Sequence, residues 1–245
     1  MSYDLAAIAD EFLHTSDHAF DECREGISGL DRIIIATPAL LVDRARGYFV
    51  ALLYAYRERF FRVSFGEYLR CFSLAGIKFE HGEERLLKYR LCRQLAAFSK
   101  QHGITMLHEL PQRSSPSSVK AAIQALRDGL DAPLAFNNPA EWVETEANVK
   151  FTVLETNCKR FCVDIDAIKD SFTNGTSLFE SLNNLVKDRN DIAHGAVFTP
   201  YTQNEWETKR NFVLKLMQVV QTELYRSLSE GSAIAPLSQA VEYQI

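Results

Sequence analysis

The segment Arg189-Asn190-Asp191-Ile192-Ala193-His194-Gly195 gathers the side chains of this chain best suited to chemistry at a phosphodiester. Histidine is the side chain whose ordinary pKa lies near neutrality, so His194 can move a proton at physiological pH. Arginine keeps its charge and offers five N–H donors in a planar fork, which suits Arg189 to the negative charge that builds on a phosphorane's non-bridging oxygens. Asn190 can orient the imidazole or a phosphate without titrating. Lys187 joins Arg189 as a local pair of cations in a chain of net charge −5; the purely structural alternative pairs Arg189 with Asp188 or Asp191 and sets His194 against its own helix dipole. These carboxylates do not form a pair spaced for Mg²⁺, so the motif calls for no metal.

A helix must carry these residues. Ser177-Leu178-Phe179-Glu180 reads as a capping box, with Leu178, Leu182, Leu185 and Ile192 as the apolar stripe and Gly195 as the stop. At 100° per residue, Asn190 and His194 lie about 40° apart, whereas Arg189 lies about 140° from His194. Either the helix end at Gly195 brings Arg189 and His194 together, or a second copy of the helix does so across a two-fold axis. Thr202-Gln203-Asn204-Glu205 is a second capping box. It opens a helix with the stripe Trp206, Val213, Met217, Val220, Leu224 and Leu228.

Upstream, the 3.6-residue period dominates. Residues 4–24 read as a helix ending near Gly26 and Gly29, and a second helix is expected from Thr37-Pro38 to about Phe61. The stripe of that second helix is Phe49, Leu53, Tyr56 and Phe60, widened by Tyr48, Ala51, Leu52 and Ala55. A short helix over 65–75 and a longer one over 83–100 follow, the latter with Leu87, Leu91, Leu95 and Phe98. Residues 111–118 carry two prolines and four serines, which makes them a loop expected to be mobile. A helix over 119–130, a loop through Pro133 and Asn137-Asn138-Pro139, and helices over 147–162 and 164–171 come next. Val149, Phe151, Thr152 and Val153 leave a strand reading open at that point.

With 245 residues, 47% of them hydrophobic, the chain can bury a large core, and only 11 glycines and 7 prolines argue for helix over tight-turned strands. The negative net charge excludes a non-specific nucleic-acid coat. No apolar run reaches the roughly 18 residues that span a bilayer, and Met1-Ser2-Tyr3-Asp4 opens no signal sequence. Five scattered cysteines (Cys23, Cys71, Cys92, Cys158 and Cys162) fit reduced thiols and a cytoplasmic location, which makes the sequon at Asn174 irrelevant. His14 and His18, with Asp10, Asp17 and Asp21 nearby, share a helix face that can ligate a metal, although a solvated polar face explains the pattern more simply. Cys158 and Cys162 share a face as two buried thiols. His81, His102 and His108 belong to no pattern. Phosphate-loop, esterase-elbow and zinc-protease motifs do not occur.

Arg189-Asn190-x-Ile192-Ala193-His194-Gly195 resembles the signature of HEPN domains. Residues 48–58, Tyr48 through Glu58, are similar to the apolar core helix of the HEPN-like nucleases typed by the MAE_28990 and MAE_18760 proteins. Asn148-Val149-Lys150-Phe151-Thr152-Val153-Leu154 resembles their segment ahead of the motif helix. The resemblance covers about residues 40–75 and 145–228. It implies an all-α, HEPN-type helical bundle over 1–245, with core 38–75 and 145–228, a helical insertion over 76–144 and a flexible tail from 231. It further implies metal-independent endoribonuclease activity without a cofactor, in a homodimer whose motif helices face one another. A prokaryotic toxin or antiphage defence effector with an antitoxin or defence-system partner is expected. The family places an acidic residue at Glu58, which can hold an arginine such as Arg189; a salt bridge to Arg57 or Arg62 is the other reading. The alternative function is a non-catalytic module that binds RNA and scaffolds or neutralises a partner protein.

Overall fold

The computed structural model describes residues 4–77, 86, 89, 92, 136, 138–145, 149–172, 177–194 and 200–232. Among these the chain is all helical, without a strand. The expected helices over 83–100 and 119–130, the loop at 111–118, Gly195 and the tail from 233 lie largely or wholly outside them.

The first helix, α1, runs from Leu5 to Ala36, well past the expected end. Ala9, Phe12, Ser16, Ala19, Cys23, Ile27, Leu30 and Ile34 are buried at intervals of three or four, so one apolar seam continues through Gly26 and Gly29. The helix tolerates these glycines because packing outweighs a propensity cost of roughly 1 kcal/mol each. Gly26 has a specific reason: a Cβ there would sit 2.5 Å from the Tyr56 ring of the next helix. Thr37, expected to open the second helix, instead closes the first, its hydroxyl donating to the Ile33 carbonyl at 2.7 Å.

Helix α2 spans Val42–Leu74 and absorbs the separate helix expected over 65–75. Leu53 and Phe60 are buried as the stripe requires, but Tyr48 is 57% and Leu52 42% exposed, and Ala55 is exposed too. Tyr54, Arg57 and Phe61 are buried in their place. The buried arc of α2 is rotated from the sequence expectation because α1, α5 and α6 all pack against it. At Gly66 the backbone of Ala140 comes close, and a Cβ would meet it at 3.2 Å. Ala140 belongs to a 3-10 turn, Pro139–Trp142, entered through Asn138 in the left-handed conformation.

Helix α3, Phe151–Arg160, is helical where a strand was open, and it starts later than residue 147. It ends in a Schellman arrangement. The Val163 N–H donates to the Cys158 carbonyl at 2.9 Å, across Cys162 at φ 61°. Cys162 therefore lies beyond the helix, not on one helical face with Cys158. Cys23, Cys71, Cys92, Cys158 and Cys162 form no disulfide with one another. Asp164 caps α4, Ile165–Asp170, by accepting from the Asp166 and Ala167 amides.

Helix α5, Leu178–Ala193, starts at Ser177, whose hydroxyl accepts from the Glu180 amide at 3.3 Å. Leu178, Leu182, Leu185 and Val186 are buried, and Ile192 is partly so. Helix α6, Gln203–Ser229, opens on the complete Thr202–Glu205 box and buries every residue of its expected stripe. α1, α2 and α6 form the central core. Trp206 is fully buried and donates its indole N–H to Asp31 at 2.7 Å, and Arg210 reaches the same carboxylate at 2.9 Å. This pins the start of α6 to α1, and the α5–α6 pair with it. No helix among the described residues is long and apolar enough to cross a membrane.

Candidate active site at the end of α5

The last turn of α5 is regular through His194. The His194 amide donates to the Asn190 carbonyl at 2.9 Å, although its own φ and ψ of −95° and 7° already leave the helix. The azimuths of an ideal helix therefore hold across the motif, and Arg189 and His194 leave the axis about 140° apart. His194 is exposed, and its side chain has no hydrogen bond or ion pair among the described residues. Gly195 lies outside the described residues.

Arg189 turns the other way, into α2. Its guanidinium carbon lies 5.4 Å from the centre of the Tyr54 ring, and its Nη1 donates to Asn190 Oδ1 at 3.0 Å. The structure thus brings the Arg189 and Asn190 side chains together, while among the described residues the His194 side chain makes no hydrogen bond to either. Lys187 and Asp191 are both exposed. Asp188 does not pair with Arg189; it takes Lys209 of α6 at 2.6 Å, both groups being largely buried. Beside this pair a cleft of about 510 Å³ opens between α5 and the start of α6, lined by Lys187, Asp188, Asp191, Tyr201 and Lys209. Burial, and then the Asp188 carboxylate, push the Tyr201 hydroxyl well above its ordinary pKa, so it stays protonated.

Glu58 does not hold Arg189. Its carboxylate pairs with Arg62 one turn along α2 at 3.2 Å, which is the second of the two readings of that residue. The i,i+4 spacing explains why the nearer cation wins.

Arg57 is the residue whose importance the sequence pattern concealed. It is fully buried, its Nη2 donates to the Val149 carbonyl at 2.9 Å, and its Nε and Nη1 have no hydrogen-bond partner among the described residues. Its guanidinium carbon lies 4.6 Å from the Tyr54 ring centre. Burial lowers its pKa to about 10, so it is charged at neutral pH inside the core. Tyr54 completes the arrangement: its hydroxyl accepts from the Val149 amide at 3.0 Å, and burial is the main cause of its raised pKa. Both peptide groups of Val149, just ahead of α3, are therefore tied to α2. A signal was present, since Val50, Tyr54, Arg57 and Phe61 fall on one buried seam at intervals of three and four.

His14 and His18 are exposed on α1; His18 lies 3.6 Å from Glu22, and Asp17 accepts from Gln221 of α6 at 2.7 Å. No group of three metal-ligating side chains occurs among the described residues.

An all-helical chain with an Arg-Asn-x-x-x-His turn closing a capped helix is the arrangement of a HEPN domain. The family model described as RiboL-PSP-HEPN matches residues 21–226, and the chain belongs to this HEPN family. The matched range contains α2 and the motif helix, which carry the sequence resemblance, together with the residues between them. No curated protein and no solved structure matches the chain.

Proposed function

We propose that this protein is a metal-independent endoribonuclease that cleaves RNA by attack of the substrate's own 2′-OH, in the cytoplasm of a prokaryote, as a toxin or antiphage defence effector. His194 moves the proton between the 2′-OH or the leaving 5′-oxygen and solvent, Arg189 stabilises the charge on the phosphorane, and Asn190 orients one of the two. What supports this reading is the Arg189-Asn190-x-x-x-His194 spacing in the last turn of α5, with His194 exposed, in a HEPN-family chain. Asp188 is already engaged by Lys209, which is consistent with chemistry that uses no carboxylate-held cation.

The active unit is a homodimer joined through α5. Within one chain Arg189 is drawn against α2 while His194 stands exposed, so Arg189 of one copy and His194 of the other make one site across the two-fold axis. The likeness of α2 and the motif to the MAE_28990 type belongs to the same reading.

The test is cleavage of a labelled single-stranded RNA by wild type and His194→Ala. A fall of about 10²- to 10⁴-fold with unchanged helical content is expected, as for loss of a general acid–base group. Equal rates would refute the role of His194. Partner binding retained without any RNA cleavage by wild type would favour a scaffolding module.

A further inference from the structure

We infer that Tyr54 is the positioning residue for Arg189: its ring seats the guanidinium, and its hydroxyl, tied to the Val149 amide, fixes the ring. This rests on the reading of Arg189 as the cation that meets the RNA phosphate.

Arg189 lacks a carboxylate partner among the described residues, because Asp188 is taken by Lys209 and Glu58 by Arg62. Its one hydrogen bond among the described residues runs to Asn190, its neighbour in sequence, and a bond between consecutive side chains does not tie Arg189 to another element. The Tyr54 ring, 5.4 Å from the guanidinium carbon, comes from another helix and is itself only 3% exposed. Three constraints hold it. The Val149 amide donates to its hydroxyl, Arg57 packs against the ring at 4.6 Å, and Arg57 also donates to the Val149 carbonyl. The ring is therefore a rigid seat, and the length and freedom of an arginine side chain are restrained by cation–π attraction.

A ring suits this task better than an acid would. A carboxylate would occupy two N–H donors of the fork and offset the charge that a phosphate needs. An aromatic face attracts the cation through its quadrupole and leaves the N–H donors pointing outward. One of the five donors of Arg189 goes to Asn190 among the described residues, and the others stay available for the non-bridging oxygens of the substrate. Tyr54 touches no reacting atom; it acts through Arg189.

The experiment uses the full chain as wild type, Tyr54→Phe, Tyr54→Leu, Arg189→Ala and the Tyr54→Leu/Arg189→Ala double variant. Tyr54→Phe keeps the ring but releases it from the Val149 amide, and is expected to cleave RNA more slowly than wild type and faster than Tyr54→Leu. Tyr54→Leu is expected to lose about 3- to 30-fold in kcat with little change in KM, the range a cation–π contact supplies. In the Arg189→Ala background the same substitution should cost nothing further. A Tyr54→Leu enzyme as fast as wild type, or an equal loss in both backgrounds, overturns the proposal. A measurement on wild type alone guards against a misfolded leucine variant. The Arg189 Nε–Hε NMR signal, assigned from its disappearance in Arg189→Lys, should be shifted upfield by the ring current and show contacts to the Tyr54 ring protons. An ordinary shift without those contacts refutes the seat. If instead Arg189→Ala cleaves RNA as fast as wild type, the ribonuclease role of Arg189 fails while the NMR result still decides whether Tyr54 seats it.

Discussion

Arg189→Ala and His194→Ala chains, each nearly inactive alone, are expected to restore RNA cleavage when mixed. Five residues along α5 advance about 7.5 Å, and side chains reaching 5–6 Å from the axis at 140° to each other end about 12–14 Å apart. Two donors that share one phosphate cannot stand more than roughly 8 Å apart, given N···O distances near 2.9 Å. The regular turn up to the His194 amide and the contact of Arg189 with Tyr54 both keep the two groups apart within one chain. In the proposed dimer, sites form between chains, with arginine from one and histidine from the other. A mixed dimer carries one site with both residues and one with neither. Random pairing of equal amounts makes about half the dimers mixed, so the mixture should reach about a quarter of the wild-type rate. Each parent alone should fall by about 10² or more, from loss of the charge-stabilising donor or of the acid–base group. Two differently tagged variants, co-expressed and purified through both tags, provide the mixed dimer directly for assay on a fluorescent RNA. Doubly tagged dimers no faster than the parents, or full activity in a wild-type monomer, would refute the geometric reasoning.

Cleavage is expected to continue in excess EDTA and to leave a 2′,3′-cyclic phosphate, read by mass spectrometry of the products; strict Mg²⁺ dependence with 5′-phosphate ends would reject 2′-OH attack. Arg57→Met is expected to unfold within about 1 kcal/mol of wild type in urea. The burial cost implied by a pKa lowered to about 10, roughly 3 kcal/mol, is matched by the lost charged hydrogen bond and cation–π contact. Arg57→Ala should be at least about 2 kcal/mol less stable than Arg57→Met, because it adds a cavity. The pH dependence has a definite sign. Below about pH 10 Arg57 is protonated in both states and the full cost is present, whereas above it the unfolded chain binds more protons and stability gains with rising pH. Wild type should therefore improve relative to Arg57→Met between pH 9 and 11, and a constant difference would contradict a buried, weakened guanidinium.

The parts of the fold legible in the sequence are those governed by local rules. The Thr202–Glu205 box and the α6 stripe require only neighbours within one turn, and Ser177 marks the start of α5 for the same reason. The structure departs from local rules where a contact to another helix or a competing local bond prevails. Gly26 and Gly29 look like helix ends until Tyr56 packs against Gly26, and Thr37 looks like an N-cap until its hydroxyl turns back to Ile33. The rotation of the α2 stripe from Tyr48, Leu52 and Ala55 to Tyr54, Arg57 and Phe61 has the same origin. Periodicity tells that a face is buried, but the neighbours decide which one when apolar residues cover most of the circumference.

For the candidate site, the sequence by itself determined the chemistry on offer: an imidazole, a guanidinium and an amide at fixed azimuths on a capped helix. Backbone geometry sets those angles regardless of what surrounds the helix. Which partners most of these groups and their neighbours meet depends on how the helices pack. Arg189 is drawn to Tyr54 of α2, Glu58 is spent on Arg62, Asp188 is spent on Lys209 of α6, and Arg57 is sealed against Val149. Apart from Glu58 and Arg62, these partners come from different elements, brought together when α2, α5 and α6 bury their apolar faces. An ion pair or a ring contact acts over a few ångströms, so no spacing along the chain can announce it before the chain has folded.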